Sequence, residues 1–165
     1  LGMDQRKVNM LAREYCDKLK MKSKPVMLSH HMLLGLKGED KMSKSDPESA
    51  IYMDDSEADV NRKIKKAYCP PNQIDKNPIM EYIEYIILQK YKYLTIIRKD
   101  EYGGNVDYNS IQDIKKDYLE GSLHPGDLKK STATYINKIL EPVREYFKNN
   151  AEARKLRDKV KSYKK

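Results

Sequence analysis

From Met3 to Lys20, apolar side chains return at Val8, Leu11, Ala12, Tyr15, Cys16 and Leu19. That three-and-four spacing predicts an amphipathic helix. Gly2 allows a tight turn ahead of it. Asp4 falls in its first turn, where a carboxylate suits the positive end of the helix dipole. Pro25-Val26-Met27-Leu28 then reads as a short buried strand. After Ser49 the pattern becomes helical. Val60, Ile64, Ala67 and Tyr68 mark one helix, closed by Cys69-Pro70-Pro71, and Ile79, Ile83, Ile86 and Ile87 mark another, with Pro78 suited to its first turn. Tyr93–Arg98 is a candidate strand that ends at the Gly103-Gly104-Asn105 turn. Ile111, Ile114 and Tyr118 give a third helix, terminated near Gly121. Ile136, Ile139, Leu140, Val143 and Phe147 give a fourth, which must bend or restart at Pro142. Leu156, Val160 and Tyr163 give a last helix with a basic end.

These elements predict an α/β segment followed by a mostly α-helical domain. The boundary is expected near residues 50–57, dividing the chain into 1–55 and 56–165. No internal repeat or low-complexity linker interrupts either part.

Composition narrows the function classes. The chain has 165 residues, with 33 basic against 25 acidic side chains, a formal charge of +8 and a pI near 9.2. That balance favours a polyanionic partner. Cys16 and Cys69 have no CxxC spacing and no nearby histidine, so they read as reduced packing residues and no metal site is expected. No apolar run approaches the roughly 20 residues that span a bilayer, and no signal segment opens the chain. A soluble, cytoplasmic protein without membrane partners is expected.

One loop carries candidate chemistry. In Gly38-Glu39-Asp40-Lys41-Met42-Ser43-Lys44-Ser45-Asp46, two ammonium groups three residues apart alternate with two hydroxyls. Lysine is a compact charge with three donors, suited to phosphate oxygens that gain charge during a reaction. A serine-rich, glycine-bounded loop adds hydroxyl and backbone donors. A solvated charged loop is the alternative for an isolated K-x-x-K.

Lys41-Met42-Ser43-Lys44-Ser45 is identical to the KMSKS signature loop of class I aminoacyl-tRNA synthetases. Gly2-Met3-Asp4-Gln5-Arg6 resembles the G-x-D-Q-R segment of tyrosyl-tRNA synthetases. Glu101-Tyr102-Gly103-Gly104-Asn105 and His124-Pro125-Gly126-Asp127-Leu128-Lys129-Lys130-Ser131 resemble their anticodon-binding domain. The four segments agree in order and roughly in spacing over essentially the whole chain, in the style of the archaeal and eukaryotic branch.

The resemblance implies a fold: the end of a Rossmann-like catalytic domain, then a helical anticodon-binding domain. It implies an activity, tyrosine–tRNA ligase, with ATP, Mg²⁺ accompanying the nucleotide, tyrosine and tRNA(Tyr) as its ligands. It also implies roles. Lys41 and Lys44 would stabilise the β- and γ-phosphates, Ser43 and Ser45 would shape the loop and donate, and Met42 would anchor it. Asp4 would accept from the ATP ribose and Gln5 would meet the tyrosine near its α-amino group. Met32 and Leu33 would face adenine, with core packing as the alternative. Tyr102, His124 and Asp127 would read the anticodon, Tyr102 by stacking and Asp127 by accepting from guanine. A helix start is the alternative for His124-Pro125-Gly126-Asp127.

The sequence departs from the family's pattern in two respects. No HIGH-type motif occurs, because His30-His31 is followed by Met32 and His124 by Pro125. His31 stands where relatives often carry proline. The chain is therefore expected to be the C-terminal half of a longer enzyme, inactive alone and dimeric through the missing portion. The rival class is a catalytically silent module that binds the tRNA anticodon. The related tryptophan enzyme is disfavoured by the EYGGN and HPGDLK segments.

Overall fold

The computed structural model describes residues 2–38, 42–43 and 45–163. It divides into two compact units that meet in sequence at Leu33 and Leu34.

In the first unit a 3₁₀ turn, Met3–Gln5, leads into α1, Arg6–Lys18. Gly2 pairs with His30 in a parallel bridge, with the Met3 amide donating to the His30 carbonyl at 3.2 Å. The helix forms as the spacing predicts, but its apolar stripe does not face a core. Val8, Leu11, Tyr15 and Leu19 are exposed, and the buried positions are Asn9 and Cys16, seven residues apart on one face. The strand expected at Pro25–Leu28 is not formed: Val26 is 82% and Leu28 80% exposed. A strand requires a partner edge, and the described part of this unit offers the single bridge at Gly2.

In the second unit the core is built by helices. Helix α2, Glu57–Lys66, begins at Ser56, whose hydroxyl accepts from the Asp59 amide. Acidic residues in its first turn and lysines in its last match the dipole. Asn77 caps α3, Pro78–Tyr82, with Pro78 at the first position. A π-helical turn, Ile83–Ile87, follows, and α4, Leu88–Tyr91, ends at left-handed Lys92. Val60, Ile64, Ile79, Ile83 and Ile87 are fully buried together.

Strands β1, Leu94–Ile96, and β2, Val106–Tyr108, pair antiparallel, with Leu94 opposite Tyr108 and Ile96 opposite Val106. The first lies within the run predicted from sequence; the second was not predicted. Helix α5, Ile111–Leu119, packs beside them. Its buried Tyr118 donates to the Pro70 carbonyl at 2.9 Å, and Cys69 Sγ lies 3.1 Å from the same hydroxyl. Both cysteines are free and buried, as packing residues would be.

Helix α6, Pro125–Asn149, is one element of 25 residues. It does not restart at Pro142. That proline is exposed, and the helix runs through it at the cost of one backbone hydrogen bond. Helix α7, Ala151–Ser162, is capped by Asn150 and has no buried residue. It is held by charge: Lys161 pairs with Asp54 at 2.5 Å and Arg157 lies over the Phe147 ring.

Residues 34–55 belong to the same compact unit as the helices. Leu36 lies in the core, its carbonyl accepts from the Tyr68 amide at 2.7 Å, and its amide donates to Ser49 at 2.8 Å. Lys63 of α2 is only 4% exposed, and its ammonium bonds the Asp55 carboxylate at 2.6 Å and the Ala50 carbonyl at 2.9 Å.

Candidate functional site

Tyr102, His124 and Asp127 line a single cleft of about 530 Å³, together with Arg98, Gly121 and Ser122. Several features of the sequence create it. Strand β1 docks on α6 because the Thr95 amide donates to Tyr135 Oη at 3.2 Å and the Ile97 amide to Ser131 Oγ at 3.1 Å. The chain then makes a 3₁₀ turn, Asp100–Tyr102, and leaves it through Gly103 and Gly104, at φ +91° and +67°. Two consecutive left-handed residues favour glycine. Tyr102 is left 66% exposed at the rim.

Arg98 fixes this loop against the start of α6. Its Nε donates to the Gly104 carbonyl at 3.2 Å and its Nη1 to the Ser122 carbonyl at 3.1 Å. Opposite lies the cap of α6, where His124 Nδ1 accepts from the Gly126 amide at 3.0 Å. The helix-start reading of His124-Pro125-Gly126-Asp127 thus describes the local geometry, and that geometry is also what brings His124 and Asp127 into the cleft. Asp127 is half-buried in the first turn, and its carboxylate has no hydrogen-bond or ion-pair partner among the described residues. An exposed ring, a guanidinium, a carboxylate and an imidazole round one cleft can stack on a flat ring and bond its polar edge.

Lys41 and Lys44 lie outside the described residues. Around them, Ser43 and Ser45 share a hydrogen bond at 2.7 Å between their hydroxyls. Met42 is partly buried against the helical core. The loop closes on Ser49, 1% exposed, whose hydroxyl accepts from the Ser43 amide at 3.0 Å and donates to the Asp46 carbonyl at 2.7 Å. Asp46 pairs with Lys37 at 2.5 Å, and that ammonium holds its carboxyl below the usual carboxylate range.

In the first unit, Asp4 and Gln5 occupy the 3₁₀ turn ahead of α1, with the Gln5 amide donating to the Asp4 carboxylate at 3.0 Å. A Cβ at Gly2 would stand 2.7 Å from Asp4 Oδ1 and 2.8 Å from Met32 Sδ. Gly2 is therefore the residue that lets Asp4 and Met32 converge. Leu33 is half-buried beyond Met32. Among the described residues, no three His, Cys, Asp or Glu side chains could hold one metal ion, and no helix is long and apolar enough to cross a membrane.

Sequence reasoning missed Arg98, Ser49, Lys63 and Asn9. A lone arginine closing an apolar run before Gly-Gly was a usable signal for Arg98. Nothing marked the serine or the lysine among their many neighbours. Asn9 Nδ2 is buried without a partner among the described residues, a state that costs about 1–3 kcal/mol.

The chain is similar to known proteins in sequence and in fold. The family described as tRNA synthetases class I (W and Y) matches residues 1–141, and the chain belongs to that family. The tyrosine branch is the nearer one. The chain is 60% identical over 164 residues to tyrosine–tRNA ligase 1, cytoplasmic, of Arabidopsis thaliana, covering 99% of this chain and 43% of the relative. The crystal structure of tyrosyl-tRNA synthetase from Aeropyrum pernix superposes with a TM-score of 0.84 at 37% identity, over 98% of this chain and 47% of that one. Tryptophanyl-tRNA synthetase from Giardia lamblia gives 0.59 at 25% identity, over 85% of this chain and 32% of that one. The chain spans about half the length of the tyrosine relatives it matches.

Proposed function

We propose that the chain is the KMSKS-bearing, anticodon-reading half of a cytoplasmic tyrosine–tRNA ligase. Residues 1–55 complete the Rossmann-like catalytic domain and 56–165 form the anticodon-binding domain. The tyrosine carboxylate attacks the α-phosphate of ATP, an oxygen–phosphorus bond forms, and pyrophosphate leaves. The terminal ribose of tRNA(Tyr) then attacks the adenylate carbonyl, and AMP leaves. No covalent enzyme intermediate is needed, so positioning and electrostatics carry the rate. Lys41 and Lys44 stabilise the phosphates of the leaving group, Ser43 and Ser45 shape their loop, and Mg²⁺ enters with the nucleotide. Asp4 accepts from the ribose, Gln5 meets the tyrosine, and Met32 and Leu33 border the adenine. The rest of the active site and the dimer contact belong to sequence upstream of this chain.

The observation that supports this reading best is the cleft shared by Tyr102, His124 and Asp127. Tyr102 stacks on an anticodon base, worth about 1–3 kcal/mol. The unpartnered Asp127 carboxylate accepts from the Watson–Crick N–H groups of guanine.

The test is tyrosine-dependent ATP–pyrophosphate exchange by this chain and by one extended upstream to the length of the relatives. Exchange in the long chain, abolished by Lys41→Ala with Lys44→Ala while tRNA affinity stays, is the expected result. Undiminished exchange in that variant overturns the loop's role. The second reading, a catalytically silent anticodon binder when isolated, is favoured by one observation: the cleft is complete within one compact unit. Exchange in neither chain, with anticodon hairpin binding retained, would select it.

A further inference from the structure

A second and larger cavity, of about 870 Å³, lies between α2 and α6 and shares His124 with the anticodon cleft. Its floor is apolar, with Ile64 and Ala133 buried. Four lysines line it, Lys65, Lys129, Lys130 and Lys138, against one carboxylate, Glu57. Lys65, Lys130 and Lys138 are exposed and have no ion-pair partner among the described residues. Lys129 is used differently, because its ammonium donates to the Lys65 carbonyl at 3.2 Å and closes the end of α2. At the other end Asn137 donates to Asn61 across the groove at 2.9 Å. The walls are therefore pinned at both ends. The Lys65 and Lys130 ammonium groups have no partner among the described residues, and Lys138 Nζ lies 4.9 Å from the Tyr135 ring centroid with no carboxylate to neutralise it.

We infer that this groove holds the phosphodiester backbone of the RNA strand that leaves the anticodon cleft. The inference rests on the anticodon reading above and adds to it the path of the stem. Lys130, Thr134 and Lys138 form one line along α6, and eight residues of helix rise about 12 Å. A nucleic-acid strand advances about 3.4 Å per phosphate, so that line spans three to four phosphates, with Lys130 and Lys138 at its two ends and Lys65 on the facing helix α2. His124 lines both the groove and the cleft, so the two adjoin at the start of α6. The positive end of α6 lies at that junction.

The test uses an RNA hairpin carrying the tyrosine anticodon and this chain with Lys65→Ala, Lys130→Ala and Lys138→Ala together. Each phosphate contact removed lowers the slope of log affinity against log salt by about 1, so the triple variant should lose about 3. Between about 50 and 200 mM salt the parent should then lose about 60-fold more affinity than the variant. Discrimination between guanine and other bases at the first anticodon position should stay unchanged. An unchanged slope and affinity in the variant, with hairpin binding by the parent intact, overturns the groove assignment alone. No preference of the parent for the hairpin over a scrambled one overturns the anticodon reading, and the groove assignment with it. If the variant keeps hairpin affinity but loses polyglutamate binding, the groove serves an acidic peptide and the inference fails. Circular dichroism melting of the variant controls for folding, since all three side chains are exposed.

Discussion

The Arg98 guanidinium donates to the Ser122 carbonyl oxygen at 3.1 Å, across 24 residues of sequence. With its second bond to Gly104, it joins the two loops that form the cleft. Replacing it leaves two carbonyls to water rather than to a fixed donor. Arg98→Ala should cost about 1–2 kcal/mol of stability. It should also speed hydrogen exchange at Gly103, Gly104 and Asn105 and weaken hairpin binding. Arg98→Lys should rescue little, because an ammonium cannot span both acceptors with a rigid fork. Urea midpoints and exchange rates check both variants, and full rescue by lysine would count against the clamp.

Lys63 makes a stronger prediction about stability. It is 4% exposed, bonded to Asp55 and the Ala50 carbonyl, and its ammonium lies 4.7 Å from the Tyr52 ring centroid. Lys63→Ala strands the largely buried Asp55 carboxylate. Removing one member of such a pair costs about 3–5 kcal/mol. Equilibrium urea unfolding measures it, and a loss below about 1 kcal/mol would show that water reaches the pair.

Ser49 governs the loop more locally. Ser49→Ala deletes the acceptor of the Ser43 amide and the donor to Asp46. A stability loss of about 1–2 kcal/mol is expected. In the upstream-extended chain, the exchange rate should fall more than KM for tyrosine rises, because the loop acts on the leaving group. Equal changes in both would assign Ser49 to folding only.

Acid should loosen α7 before the core. A hydrogen bond from Lys161, aided by its charge, holds the Asp54 carboxyl below its ordinary value of 3.8. A carboxyl depressed in the folded state contributes stability that is fully present above the unfolded value. That contribution is lost as pH falls through the depressed one. Helix α7 has no buried residue, and the Arg157 contact over the Phe147 ring is one that acid leaves intact. Amide exchange over 151–162 should therefore rise below about pH 4, and Asp54→Asn should show the same release at neutral pH.

Helices α2, α3, α5, α6 and α7 were legible because they carry an apolar period and a capping side chain, as Ser56 does for α2 and Asn77 with Pro78 for α3. Strand β2 was not, since Val106-Asp107-Tyr108 is too short for alternation to register. It exists because β1 supplies a partner edge. Pro25–Leu28 shows the converse, an apolar run that remains unpaired for want of such an edge. Of the candidate site, Tyr102, His124 and Asp127 could be named from motif segments. Arg98 and Ser49 act by distance to backbone atoms, and a one-dimensional string carries no such distance.

The π-helical turn at Ile83–Ile87 has a consequence for how this chain can change length. A wide turn of this kind accommodates one residue more than an α-helical path between the same endpoints. Loss of one exposed residue there, such as Tyr85, would tighten the turn and leave Ile79 before it and Leu88 after it on the faces they already bury. The same loss within α2 would rotate everything downstream by about 100°. The core thus contains one position where a codon can vanish without turning the helix inside out.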